Sequence, residues 1–199
     1  MKAVYQVRLH GRGGQGVVTA AELIASAAIA DGLYAQAFPS FGSERTGAPV
    51  AAYCRIDDKP IRSREPVADP DAVLVLDATL LRQDFVFDGM KPGGTALINS
   101  PVPVTDRALT LCAVRVRALP ATEIARERTG RPLPNAAMVG AFAATGVVSL
   151  SAVRDAITAR FPGRLAETNC AAATDAYTYV LRGGGCPAAS EDREARSVQ

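Results

Sequence analysis

The sequence predicts an α/β fold, a single Rossmann-like domain with a mostly parallel sheet flanked by helices and a helical C-terminal third. Three observations carry that expectation. A strand-like segment runs into the glycine-rich turn Gly11-Arg12-Gly13-Gly14-Gln15-Gly16 and then into a helical pattern. A continuous apolar run, Ala72 to Leu76, ends at Asp77, as expected of a central parallel strand covered on both faces. Strand-like segments alternate with helical stretches until about Asn135, after which only helical patterns remain.

Taken in order, Val4, Gln6 and Arg8 alternate with Tyr5, Val7 and Leu9 in the first strand, which leads into His10 and Gly11. A helix is expected from Val17 to Ala30, with Val17, Ala21, Ile24 and Ala28 on one face and Thr19, Glu22 and Ser26 on another. Gly32 is placed to stop it. Tyr34 to Phe38 reads as a second strand, Pro39 to Pro49 as a loop, and Val50 to Ile56 as a strand. Beyond the central run, Lys91 to Gly94 is a turn, Thr95 to Asn99 a buried strand, and Leu111 to Val116 a further strand. Asn135 to Val148 reads as a helix of small residues, including Gly140, Ala144 and Gly146, able to pack closely on another element, and the apolar helices after Asn135 are expected to carry much of the subunit contact. Ser151 to Phe161 is amphipathic through Val153, Ile157 and Phe161, and Leu165 to Leu181 is the last helix. The domain is expected to span residues 1–182, with 183–199 as a polar tail after Gly183.

The chain has 199 residues, enough for one domain with its own core, and 48% hydrophobic with 21% charged residues is ordinary for a globular protein. A formal net charge of +2 offers no case for nucleic acid, which selects a basic stripe. No apolar run approaches the ~18 residues that cross a bilayer, and Met1 to His10 has no signal-peptide core, so a cytoplasmic location without membrane association is expected. Cys54, Cys112, Cys170 and Cys186 are far apart and lack the close spacing of an iron–sulfur or zinc site. His10 is the only histidine, so any histidine-based catalysis would rest on it.

Gly11, Gly13 and Gly16 match G-x-G-x-x-G between a strand and a helix, a pattern that permits close backbone approach and offers free N–H groups to an anion. A dinucleotide site also wants an acidic residue at the end of the second strand, and that strand ends at Phe38-Pro39-Ser40, while Asp31 lies before it. Three readings stay open, namely a dinucleotide, a turn serving chain reversal and packing, and another phosphorylated ligand such as coenzyme A. The loop Pro39 to Pro49 presents Phe41, Glu44 and Arg45 and should lie at the same sheet edge. Arg45 can pair with a phosphate or carboxylate, or with its neighbour Glu44.

The segments His10 to Val17 (HGRGGQGV), Ala37 to Arg45 (AFPSFGSER) and Gly47-Ala48-Pro49 resemble the gamma subunits of 2-oxoacid:ferredoxin oxidoreductases, such as pyruvate:ferredoxin oxidoreductase and phenylglyoxylate dehydrogenase. So do Leu76-Asp77 with Thr79-Leu80-Leu81, Lys91 to Gly94, Asn135 with Ala137-Met138 and Gly140-Ala141-Phe142, and Phe161 to Glu167. The resemblance runs in order from residue 4 to 182.

What the resemblance implies is a subunit of a complex that converts a 2-oxoacid and coenzyme A to acyl-CoA and CO2. Thiamine diphosphate would sit on alpha and beta subunits, and 4Fe–4S clusters on a ferredoxin-like delta subunit and often on beta. This chain would hold no cofactor alone. It would help shape the coenzyme A site or a partner edge through Gly11, Gly13, Gly14, Gln15, Gly16, Ser43, Glu44 and Arg45. The family commonly carries two arginines before the glycine of the second loop, where this chain has Arg45-Thr46-Gly47. The 2-oxoacid, the electron acceptor and the stoichiometry stay open, and a free-standing dinucleotide-binding dehydrogenase is the alternative.

Overall fold

The computed structural model describes residues 4–40, 47–104 and 113–184. In chain order they form β1 (Tyr5–Arg12), α1 (Val17–Ala30), β2 (Tyr34–Pro39), β3 (Pro49–Asp57), β4 (Ala72–Val75), β5 (Thr95–Asn99) and β6 (Arg115–Leu119). Then come α2 (Ala121–Thr129), α3 (Asn135–Ala143), α4 (Leu150–Arg160) and α5 (Gly163–Leu181). Two short 3-10 turns, Ala78–Arg82 and Asp84–Val86, follow β4.

The strands make one six-stranded sheet in the order β2-β3-β1-β4-β5-β6. The pairs β1–β4, β4–β5 and β5–β6 are parallel, so the sheet is mostly parallel as expected. β3 runs antiparallel to both β1 and β2. The link from β2 to β3 holds only residues 40–48, too short for the helical crossover that a parallel return needs. An antiparallel return is what that length permits.

Alternation in β1 decides which side of the sheet receives which chemistry. Val7 and Leu9 enter the larger core with Leu74, Leu76 and Leu97, under helices α1, α3, α4 and α5. Val73, Val75, Ala96 and Ile98 face the other way, into a smaller cluster closed by Leu80 and Val86 from the 3-10 turns and by Met90 beyond them. Among the described residues the α-helices thus share one face, and short turns with irregular chain cover the other. On that second face β1 and β3 place Arg8 and Arg55, both buried. Arg8 donates to the carbonyl oxygens of Val67 (3.3 Å), Val86 (3.0 Å) and Asp88 (2.6 Å), so one guanidinium ties two irregular segments to the sheet.

α1 spans the expected residues, and its C-terminus closes as expected at Gly32, whose φ of 82° only glycine adopts without strain. Leu33 N–H reaches back to the Ala28 carbonyl. β6 corrects the expected strand at Leu111 to Val116. The strand lies at Arg115–Leu119, and Leu111 falls outside the described residues. The apolar run misled because an edge strand is marked by alternation, here exposed Arg115, buried Val116, half-buried Arg117 and buried Ala118.

The small-residue helix is shorter than expected. All nine residues of α3 are buried, so its small residues pack within the fold. Its glycine serves internal packing. A Cβ on Gly140 would run into the backbone of Ala173 on α5, carbonyl oxygen included. The tail from residue 185 onward lies outside the described residues. Among the described residues no helix is long and apolar enough to cross a membrane.

A Gly140→Ala substitution therefore overpacks the α3–α5 contact and should cost roughly 3 kcal/mol or more, since neither backbone can yield. Urea unfolding of the purified chain reads this directly. Wild-type stability would show that the helices separate without penalty.

Candidate functional site

The C-terminal ends of β1 and β4 bring several polar groups together, and the glycine turn sits above them. β1 continues through Gly11 and Arg12, so the turn proper is Gly13 to Gly16. A Cβ on Gly11 would meet Val17 Cγ2 at 2.6 Å and Leu76 Cβ at 3.2 Å, which is why the strand end tolerates no side chain there. Gly14 and Gly16 take left-handed φ values of 97° and 74°.

Gln15 braces the turn from within. Its Oε1 accepts the Arg12 N–H at 2.7 Å, and its Nε2 donates to Asp77 Oδ2 at 2.8 Å. Asp77 also accepts the Thr79 N–H (3.0 Å) and hydroxyl (2.5 Å). Arg12 lies across this group. Its Nη2 donates to Thr79 Oγ1 at 2.8 Å, its Nη1 to the Gly47 carbonyl at 3.0 Å, and its Nε stands 3.5 Å from Asp77. Burial works to raise the Asp77 carboxyl, but hydrogen bonds from Thr79 and Gln15, with the charge of Arg12, outweigh it and hold the pKa below the usual aspartate value. Farther along the edge, Asn99 donates to the Leu76 carbonyl and accepts the Thr122 N–H, which ties the start of α2 to the end of β5.

The second loop meets this platform at both described ends. Ser40 N–H donates to the Ala51 carbonyl, while Gly13 and the residues Gly47 and Ala48 exchange two backbone bonds. The expected juxtaposition of the two loops at one edge therefore holds for the residues that can be described. Ser43, Glu44 and Arg45 themselves lie outside the described residues. Of the sequence-derived candidates, Gly11, Gly13, Gly14, Gln15 and Gly16 sit together here. Arg12, Asp77, Thr79 and Asn135 join them without having been singled out as site residues.

Among the described residues no side chain caps the start of α1. Gly16 provides no side-chain cap, and no acidic residue lies in the first turn. The first amides of a helix have no partner within it, so the turn presents N–H groups and the positive end of the helix dipole. Asp31, the acidic residue spaced nearest to a ribose ligand, is at the far end of α1. Its carboxylate accepts both the N–H and the hydroxyl of Ser149 at 2.6 Å, which fixes the start of α4 and commits Asp31 to a contact remote from the glycine turn.

His10 is packed below the edge with its ring 5.8 Å from that of Phe85 and only 3% of its surface exposed. Its Nε2 is enclosed without a hydrogen-bond partner among the described residues. Burial first, and then the charge of Arg8, depress its pKa to about 4, against the weaker effect of a bond to the Val86 backbone. A neutral, enclosed imidazole is a packing group here. Burial likewise pushes the Cys54 thiol up to about 12. Among the described residues no group of three His, Cys, Asp or Glu side chains stands ready to hold a metal. An open groove of about 660 Å³ lies elsewhere, between α2, α4 and α5, lined by Arg128, Arg154, Glu167, Cys170 and Asp175.

Against known proteins, the profile of the family described as pyruvate ferredoxin/flavodoxin oxidoreductase matches residues 6–179. The chain is 46% identical over 180 residues to the pyruvate synthase subunit PorC of Methanothermobacter marburgensis, covering 90% of this chain and 99% of that one. It is 47% identical over 179 residues to the common subunit gamma of the pyruvate/ketoisovalerate oxidoreductases of Thermococcus kodakarensis, covering 88% and 97%. The crystal structure of the pyruvate oxidoreductase subunit PORC from Thermotoga maritima superposes with a TM-score of 0.76 at 36% identity, covering 89% of this chain and 97% of that one.

The His10 environment sets a pH dependence. The unfolded chain binds a proton at this imidazole near 6.5 and the folded chain only near 4, so folding stability is complete above that window and declines as pH falls through it. The share due to His10 is on the order of 3 kcal/mol. Urea unfolding at pH 7 and pH 4.5 should show a smaller difference for His10→Gln than for the wild type. Equal differences would mean that the imidazole titrates normally in the fold.

Proposed function

Because the chain belongs to the pyruvate ferredoxin/flavodoxin oxidoreductase family, we propose that it acts as the gamma subunit of a multisubunit, thiamine diphosphate-dependent 2-oxoacid:acceptor oxidoreductase. The complex converts a 2-oxoacid and coenzyme A to acyl-CoA and CO2, and passes electrons through iron–sulfur clusters. The observation that carries this reading is the family match, which extends across residues 6–179 and so takes in every element of the fold. Thiamine diphosphate is assigned to alpha and beta partners, and the 4Fe–4S clusters to a ferredoxin-like delta partner and to beta. The complex is assigned to the cytoplasm.

Within it this chain is non-catalytic and structural, and borders the coenzyme A site. The uncapped start of α1, beside Arg12 and the ends of the second loop, supports that assignment, because coenzyme A carries phosphates and a helix start attracts anions. Gly14 and Gly16 offer backbone N–H groups, Gly11 and Gly13 allow close approach, and Gln15 keeps the turn in shape. Ser43, Glu44 and Arg45 complete the edge toward ligand or partner in this reading. The Thermococcus kodakarensis relative is named as common to pyruvate and ketoisovalerate enzymes. By analogy, the choice of 2-oxoacid falls to the partner chains.

Two outcomes follow. Affinity purification of the tagged chain from its own cells should bring down thiamine-binding and ferredoxin-like chains and a 2-oxoacid- and coenzyme A-dependent dye-reducing activity. The purified chain alone should reduce no dye, and activity in that fraction would refute the reading. In the assembled complex, Arg45→Ala should raise the KM for coenzyme A roughly tenfold, as expected for loss of a charge-assisted contact. The 2-oxoacid decarboxylation half-reaction should change less. Unchanged coenzyme A kinetics in an intact complex would reduce Arg45 to a loop residue.

A further inference from the structure

The amino ends of two helices meet. α1 begins after Gly16, and α3 begins at Asn135 behind Pro134, each without a side-chain cap. The two starts are in contact, since a Cβ on Gly16 would lie 2.6 Å from Asn135 Nδ2 and 3.1 Å from its Cγ. Asn135 is only 8% exposed. Its Oδ1 accepts the Ala136 N–H at 2.8 Å, which fixes the orientation of the amide and leaves both N–H bonds of Nδ2 on the side of Gly16. Nδ2 has no hydrogen-bond partner among the described residues. Nor is it among the orphan atoms sealed off completely, which are Arg8 Nε, His10 Nε2, Arg55 Nη1 and Glu123 Oε2. A buried amide donor is ordinarily matched, and no group among the described residues accepts from this one.

We propose that Asn135 Nδ2 and the first backbone N–H groups of α1 form a receptor for an oxygen of a phosphate group, with the start of α3 adding a second helix dipole behind it. The inference rests on the coenzyme A reading of this edge and names the residue, from a distant helix, that grips phosphate there. The chemistry is uniform. Each contributing group is a neutral donor, so the receptor selects an anionic acceptor by oriented dipoles rather than by a counter-charge. The same geometry explains why position 16 is glycine, because any side chain there would occupy the place of the Asn135 amide.

Asn135→Asp tests it. The substitution is isosteric, retains the oxygen that accepts the Ala136 N–H, and favours a helix start. It replaces the outward donor by an acceptor with a negative charge. Calorimetric titration of the purified complex with coenzyme A, and separately with inorganic pyrophosphate, should show affinities at least tenfold weaker in the variant, at an unchanged or higher unfolding temperature. Asn135→Ser, which keeps an acceptor for the helix and withdraws the donor, should weaken both ligands as well. Unchanged affinity for both probes in either folded variant overturns the inference. If coenzyme A binding falls with Arg45→Ala but not with either Asn135 variant, the coenzyme A reading stands and this receptor does not. Asn135-dependent binding of pyrophosphate without binding of coenzyme A leaves the receptor standing and removes the coenzyme A reading.

Discussion

The backbone approaches at Gly11 and Gly16 are the constraint on which the rest of the molecule depends. At Gly11 the end of β1 comes so close to Val17 and Leu76 that α1 and β4 must both be placed correctly before the strand can end there. At Gly16 the start of α1 presses on Asn135, which draws in α3, and α3 is in turn held against α5 through Gly140. Three glycines thus mark a continuous line of close contact from the sheet edge to the last helix. None of them needs to touch a ligand to be indispensable, because each marks a place where one element must approach the backbone or side chain of another. A turn held this way is also preorganised, with little conformational freedom left to lose.

The two faces of the sheet solve different problems. The helical face is apolar and closely packed, dense in alanine, and owes its stability to burial. The opposite face carries a polar layer beneath irregular chain. Arg8 spans Val67 to Asp88 by bonding carbonyl oxygens, and Arg55 donates to the Gln6 side chain and lies 5.2 Å from the Phe38 ring centre. Carbonyl oxygens and an aromatic face replace the carboxylates that buried guanidinium groups usually seek. Irregular segments have spare carbonyls to offer, and helices do not. A cationic residue on the inner side of the sheet therefore suits a cover made of turns.

Much of this was legible in the sequence, for identifiable reasons. The strand, turn and helix from Tyr5 to Ala30 were readable because periodicity and glycine spacing are local signals. α2 was not foreseen. Its buried residues are Ala121 and Ala125, so its apolar stripe is too slight to register, although Pro120 before it and Gly130 after it were available as boundary marks. The antiparallel β3 was hidden because alternation does not record direction. At the site, the glycines were legible and their partners were not. Asp77 lies 62 residues from Gln15, and Asn135 is on a helix whose position depends on Gly140 packing against Ala173. Such neighbours exist only once the chain has closed on itself.

The bond from Asp31 to Ser149 has a mechanical meaning. α1 carries 14 residues, a length of about 21 Å at 1.5 Å per residue. One end is the glycine turn, and the other is clamped through both oxygens of a single carboxylate to the first residues leading into α4. The clamp sets the start of α4 at a fixed spacing along the helix from the glycine turn. A shift of α1 along its own axis would therefore disturb the turn and the Ser149 bonds together.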